Sequence, residues 1–130
     1  MEPFVKEPTV DTPGVLLDAE KGTFLLTRMS LPEDAVEFYA PILEWFANYC
    51  KNPNPQTVFD MKLEYFNTAS SKQLIQILLL LQGLKEKSDI TINWYYKEID
   101  EDMQGLGEEY SQIINLPFNL IPVPKFDQQP

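Results

Sequence analysis

The chain has no histidine and a single cysteine, Cys50, among 130 residues. Without histidine there is no Ser-His-Asp or Cys-His triad, no phosphohistidine relay and almost none of the common zinc sites. One cysteine excludes an internal disulfide and fits a reducing compartment. Cations are scarce too: 10 lysine and arginine residues face 20 carboxylates, for a net charge of −10. Such a surface repels phosphate backbones and anionic lipid, so neither nucleic acid nor a membrane is an expected partner. It suits a protein with a basic patch, or serves solubility alone. The longest unbroken apolar run, Ile77 to Leu81, is far too short to insert into a bilayer. No basic start followed by an apolar stretch marks a secretory leader, so a cytoplasmic location is expected.

What is present describes one ordinary folded unit spanning residues 1–130, with 44% hydrophobic residues. Residues 1–13 carry Pro3, Pro8 and Pro13 and read as a loose start, with a short edge strand near Thr9 and Val10. Gly14 to Asp18 and Thr23 to Arg28 flank a Gly22-bearing turn and predict a hairpin. Ser30-Leu31-Pro32-Glu33-Asp34 reads as a helix start with Ser30 as cap. Ala35, Phe38, Tyr39, Ile42, Phe46 and Tyr49 give that helix one apolar face, and Pro41 should kink or divide it. Gln56 to Phe66 alternates as a strand, with Phe59, Met61, Leu63 and Tyr65 on the apolar side.

A second helix is predicted from Ser70 to Lys87 and a fourth strand over Ile90 to Tyr96. A third helix follows from Asp100 to Asn115, with Met103, Leu106, Tyr110, Ile113 and Ile114 as its stripe. Phe118 to Val123 can form a last strand before a tail at 124–130. The order β-β-α-β-α-β-α-(β) predicts an α/β domain with a mixed sheet and helices packed on it.

Little here carries chemistry. The acidic group Glu98, Asp100, Glu101, Asp102, Glu108 and Glu109 lacks the glycine-bearing, alternating pattern of a calcium loop, and helix N-terminal charge accounts for its first members. Gly105-Leu106-Gly107 lacks the spacing and preceding strand of a nucleotide loop; within a helix these glycines weaken it or permit close packing. Cys50 reads as inert core. No metal or other cofactor is implied, and no carboxylate pair stands out for acid–base work.

The turn between Phe66 and Leu74 is richer. Thr68, Ser70 and Ser71 put three hydroxyls in four positions where a strand hands over to a helix. Helix capping needs one of them. The alternative is a phosphate acceptor, because the first turn of a helix offers free N–H groups and a positive dipole end. Both readings stand at this point. On the following helix Lys72, Gln73, Gln76, Gly83 and Lys87 define a polar face, with Leu80 inside it and Leu79 at its edge. Leu80 is thus either a partner-facing anchor or an incidental leucine.

Phe66-Asn67-Thr68-Ala69-Ser70-Ser71-Lys72 resembles the SiaC family of bacterial regulatory phosphoproteins. Pro13-Gly14-Val15, Ile90 through Tyr96, Asp100 through Met103, Gly107 through Tyr110 and Leu116-Pro117-Phe118 extend the likeness over most of the chain. Where the family motif often has serine, this chain has Ala69, which removes one accessory hydroxyl and leaves Thr68 in place. The resemblance implies a STAS-like fold and no enzymatic activity of the chain's own. It implies phosphorylation at Thr68, with Ser70 and Ser71 as alternative acceptors, by a SiaB-type kinase, and reversal by a metal-dependent SiaA-type PP2C-like phosphatase. The unphosphorylated form would activate a SiaD-type diguanylate cyclase, raising cyclic di-GMP and promoting biofilm formation. Asn67, Thr68, Ser70, Ser71, Lys72 and Leu80 are the partner-binding residues expected on this basis. A small-ligand or nucleotide-binding STAS-like module is the alternative.

Overall fold

Alternating side chains at Gln56–Phe66 and Asp89–Lys97 set the two central strands, β4 and β5, of the computed structural model, which describes residues 1–126. Phe59, Met61 and Leu63, with Ile90, Ile92, Trp94 and Tyr96, are buried on one side; Asp60, Lys62, Asn93 and Tyr95 lie on the other. Around them are β1 (Phe4–Lys6), β2 (Gly14–Asp18), β3 (Thr23–Ser30) and β6 (Phe118–Val123). The helices are α1 (Ala35–Tyr49), α2 (Thr68–Gln82) and α3 (Glu101–Ile113). The six strands lie in chain order. Pairing is antiparallel from β1 to β3 and parallel from β3 to β6, so the expected mixed sheet is present.

Each parallel step is crossed by one helix, and all three steps advance in the same direction. Right-handed crossovers then put every helix on the same face. One core follows, in which Ile42 and Phe46 of α1, Leu74, Ile77 and Leu78 of α2, and Met103 and Tyr110 of α3 meet the inward strand residues. Among the described residues the opposite face of the sheet has no helix.

Several local expectations are corrected. The N-terminal edge strand is Phe4–Lys6, paired with β2, not Thr9 and Val10. Thr9 instead closes a turn, bonding the Thr12 carbonyl through its N–H at 3.0 Å and the Thr12 hydroxyl at 2.6 Å. The first helix is capped by Asp34, whose carboxylate accepts the Glu37 N–H at 3.1 Å. Ser30, expected as that cap, is the buried last residue of β3.

Pro41 neither divides α1 nor ends it. Burial of Tyr39, Ile42, Trp45 and Phe46 on both sides of it outweighs the ~3 kcal/mol penalty of an interior proline. Trp45, absent from the expected stripe, stacks on Tyr49 and donates its indole N–H to the Glu2 carbonyl at 2.8 Å, which ties down the N-terminal segment.

The alternation of β4 breaks near its end. Arg28 pairs with Leu63 but Met29 with Tyr65, so Glu64 is an extra residue, and Arg28 takes φ 76°. This bulge turns Tyr65 outward, 51% exposed, and Phe66 inward, reversing the expected placement of Tyr65. Helix α2 stops at Gln82 with Gly83 as its cap, short of the predicted Lys87. In α3 Ile113, expected in the apolar stripe, is 59% exposed, whereas Gly107, outside that stripe, is buried. A Cβ there would lie 2.6 Å from Leu120 Cδ2 and 2.7 Å from two Trp94 ring atoms, so close packing is why position 107 is glycine. Of the predicted tail at 124–130, residues 127–130 lie outside the described residues.

Candidate functional site at the start of the second helix

Strands β3, β4 and β5 are parallel, so Ser30, Phe66 and Lys97 end at one edge and all three helices begin there. Ligands of open α/β sheets gather at this edge. The N-terminal residues of α1 and α3 carry their own negative charge: Asp34 caps one with Glu37 following, and Asp100 caps the other with Glu101 and Asp102. Helix α2 differs, with a neutral Asn67 cap and no acidic residue in its first turn. The positive end of its dipole is left without a carboxylate of its own.

The cap is Asn67 itself and none of the three hydroxyls. Its side-chain oxygen accepts the Ser70 N–H at 2.8 Å, and its own N–H binds the Ser30 carbonyl at 3.2 Å. The hydroxyls thereby go to three different environments. Thr68, the first helical residue, is exposed, as is Ala69. Their N–H groups have no carbonyl one turn back to bind.

Ser70 is fully buried. It donates its hydroxyl to the Ser30 carbonyl at 3.0 Å and accepts the Ser30 hydroxyl at 2.9 Å, and Ser30 is 2.6 Å from the Tyr39 hydroxyl. Burial pushes the Tyr39 phenol up to about 12, only partly offset by the Ser30 hydrogen bond. As a surface-accessible acceptor or contact residue, Ser70 is therefore corrected to a core hydroxyl. Ser71 is half-buried and hydrogen-bonded to the Tyr110 hydroxyl, which joins α2 to α3. Tyr110 packs against Trp94 and Phe66. Its phenol is also raised, by burial first.

Lys72 is exposed one turn beyond Thr68 and on the same helix face. Farther along, the two leucines exchange their expected positions. Leu79 is 43% exposed, whereas Leu80 packs against the core and its carbonyl receives the Cys50 thiol. Cys50 is half-buried, and burial raises its thiol. Among the described residues no cluster of acidic or cysteine side chains could hold a metal ion, and no helix is long and apolar enough to cross a membrane.

Ser30, Tyr39 and Tyr110 support the turn and were not singled out as site residues from the sequence. No local pattern marks them: Ser30 reaches Ser70 only because β3 pairs in parallel with β4 and brings Ser30 beside Phe66.

A profile of the SiaC family of regulatory phosphoproteins matches residues 6–123. The chain belongs to the SiaC family. An uncharacterised protein of Pseudomonas aeruginosa is 26% identical over 111 residues, covering 85% of this chain and 88% of that one. Apo-SiaC from Pseudomonas aeruginosa superposes with a TM-score of 0.86 at 24% identity, covering 93% of this chain and 99% of that one. A second structure, of the diguanylate cyclase SiaD in complex with its activator SiaC from the same species, contains a chain with the same score and identity, matched over 92% of this chain and 99% of that one. The mixed sheet with its three helices is thus the fold of SiaC structures.

Proposed function

We propose that this chain is a non-enzymatic, cytoplasmic phospho-switch in which reversible phosphorylation of Thr68 controls binding to, and activation of, a diguanylate cyclase. The observation that carries the reading is the contrast within one helical turn: Thr68 is exposed on a helix start free of acidic residues, whereas Ser70 is buried and Ser71 is engaged with Tyr110. Membership in a family of regulatory phosphoproteins supports it, as does the complex that a Pseudomonas aeruginosa SiaC forms with the cyclase SiaD. A SiaB-type kinase and a SiaA-type phosphatase complete the cycle.

Phosphorylation adds about −1.5 to −2 charges and three acceptor oxygens. On Thr68 the new charge meets the α2 dipole, worth about 0.3–1 kcal/mol, and comes within reach of Lys72, so the domain tolerates it. A docking partner does not, because the phosphate must be desolvated and can face like charge at a cost of several kcal/mol. Since about 1.4 kcal/mol is tenfold in affinity, the switch can change binding roughly a hundredfold without refolding. Asn67, Thr68, Lys72 and the exposed Leu79 are the surface residues of α2 through which contact would run.

The test is reconstitution with a SiaB-type kinase and a SiaD-type cyclase from the same host. Thr68→Ala should bind the cyclase as wild type does and keep that binding after incubation with kinase and ATP, while the wild type loses it. Release of Thr68→Ala by the kinase would refute the assignment.

A further inference from the structure

We infer that Tyr110 determines which hydroxyl of α2 is phosphorylated: its phenol holds Ser71 in the groove between α2 and α3 and so confines transfer to Thr68. The inference rests on the reading of Thr68 as the kinase's acceptor and names the residue that keeps its neighbour silent.

Thr68 and Ser71 are three residues apart, so they share one helix face with about 5–6 Å between their Cβ atoms. Both belong to the first turns of α2, where the Ser71 N–H binds the Asn67 carbonyl at 2.9 Å. A kinase that reaches Thr68 therefore also reaches the surroundings of Ser71, and both residues offer it a hydroxyl. What separates them is the partner of that hydroxyl. Thr68 is exposed, whereas the Ser71 hydroxyl is bonded to the Tyr110 hydroxyl, which also reaches the Ser71 carbonyl at 3.4 Å.

Tyr110 is anchored and cannot follow Ser71 outward. It is 3% exposed, with its ring 5.0 Å from that of Trp94 and 6.1 Å from that of Phe66, centroid to centroid. Gly107, one turn earlier, lets α3 lie against Trp94, whose indole N–H binds the Met103 carbonyl at 3.1 Å. Apolar packing thus fixes the ring, and the hydroxyl at its tip is left for Ser71.

Phosphoryl transfer from ATP forms a bond between a side-chain oxygen and the γ-phosphorus, breaks the bond to ADP and passes the hydroxyl proton to a base of the kinase. Ser71 must leave Tyr110 before its oxygen can attack, and the three new oxygens would have to displace the phenol. Thr68 meets neither obstacle. Tyr110 is a positioning residue, acting on the reaction through Ser71.

The test is site-resolved mass spectrometry of the full chain after incubation with ATP and a SiaB-type kinase from the same host. In the wild type, Thr68 should carry at least about tenfold more phosphate than Ser71. In Tyr110→Phe, which keeps the ring and its packing, phosphate on Ser71 should rise about tenfold, the factor for a hydrogen bond worth about 1.4 kcal/mol. Thr68→Ala with Tyr110→Phe should be phosphorylated on Ser71, whereas Thr68→Ala alone should stay at background. Tyr39→Phe removes a comparable hydroxyl from the Ser30–Ser70 network and should leave Ser71 silent, which separates release of Ser71 from general loosening. No phosphate on Ser71 in Tyr110→Phe, equal phosphate on both residues of the wild type, or the same rise in Tyr39→Phe would overturn the inference. Thr68 phosphorylated throughout with Ser71 silent in Tyr110→Phe would overturn it and leave the Thr68 reading intact. Phosphate on Ser71 in Tyr110→Phe, with none on Thr68 in any variant, would uphold the role of Tyr110 and refute the Thr68 reading.

Discussion

One negative charge placed two residues apart should have opposite consequences at Thr68 and Ser70. In Thr68→Asp the carboxylate sits on the exposed first residue of α2, where no acidic side chain competes for the dipole. The gain is about 0.3–1 kcal/mol, or about 1–4 °C in melting temperature for a chain of this length. In Ser70→Asp the carboxylate enters a fully buried position facing the Ser30 carbonyl, an acceptor at 3.0 Å from the present hydroxyl. Burying an unpaired charge costs about 3–5 kcal/mol, a large part of a typical total stability of about 5–15 kcal/mol. Ser70→Ala separates the terms, since it loses only the hydrogen bonds, at about 1–3 kcal/mol. Urea titrations of the three variants read these differences directly. The reasoning fails if Thr68→Asp loses more than about 1 kcal/mol, or if Ser70→Asp stays within that margin of wild type.

Three further outcomes follow from the packing. Gly107→Ala should destabilise by about 1–3 kcal/mol through its clash with Trp94 and Leu120, less about 1 kcal/mol of helix propensity, whereas Gly105→Ala, with open space around it, should stabilise; thermal melts of the pair decide this. Tyr39 ionises near 12 when folded against 10.0 ordinarily, so above pH 10 the unfolded chain releases the proton first and stability falls up to pH 12. Below pH 10 that contribution is fully present, and urea midpoints of Tyr39→Phe should show a shallower alkaline loss. Leu79→Asp should leave the melting temperature nearly unchanged, while Leu80→Asp should lower it, by about 1–3 kcal/mol in stability, because Leu80 packs on the core.

The architecture was legible where side-chain period and punctuation agreed. Gln56–Phe66 alternates as far as Leu63 and stops before Asn67, and Asp89–Lys97 is marked by β-branched and aromatic residues. What stayed hidden depends on partners distant in sequence. The bulge at Glu64 is set by pairing with β3, and so is the inward turn of Phe66. Ser30 has the composition of a cap, but Asp34 stands four residues on and the strand continues through Ser30. A 100° helical wheel cannot decide between Leu79 and Leu80 inside an apolar arc that wide; packing against α1 and the core decides it. At the site, the position of Thr68 at a helix start was legible, but the division of the hydroxyls into exposed, buried and tied was not. That division arises from Asn67 taking the cap and from Ser30 and Tyr110, 40 and 39 residues from their serine partners, taking Ser70 and Ser71.

The most direct test of the central claim is tandem mass spectrometry of the protein isolated from its own host under two growth conditions. Phosphate on Thr68, with occupancy that changes between conditions, is the predicted result. Phosphate on Ser70 or Ser71 with Thr68 unmodified, or no phosphate in either condition, would contradict it.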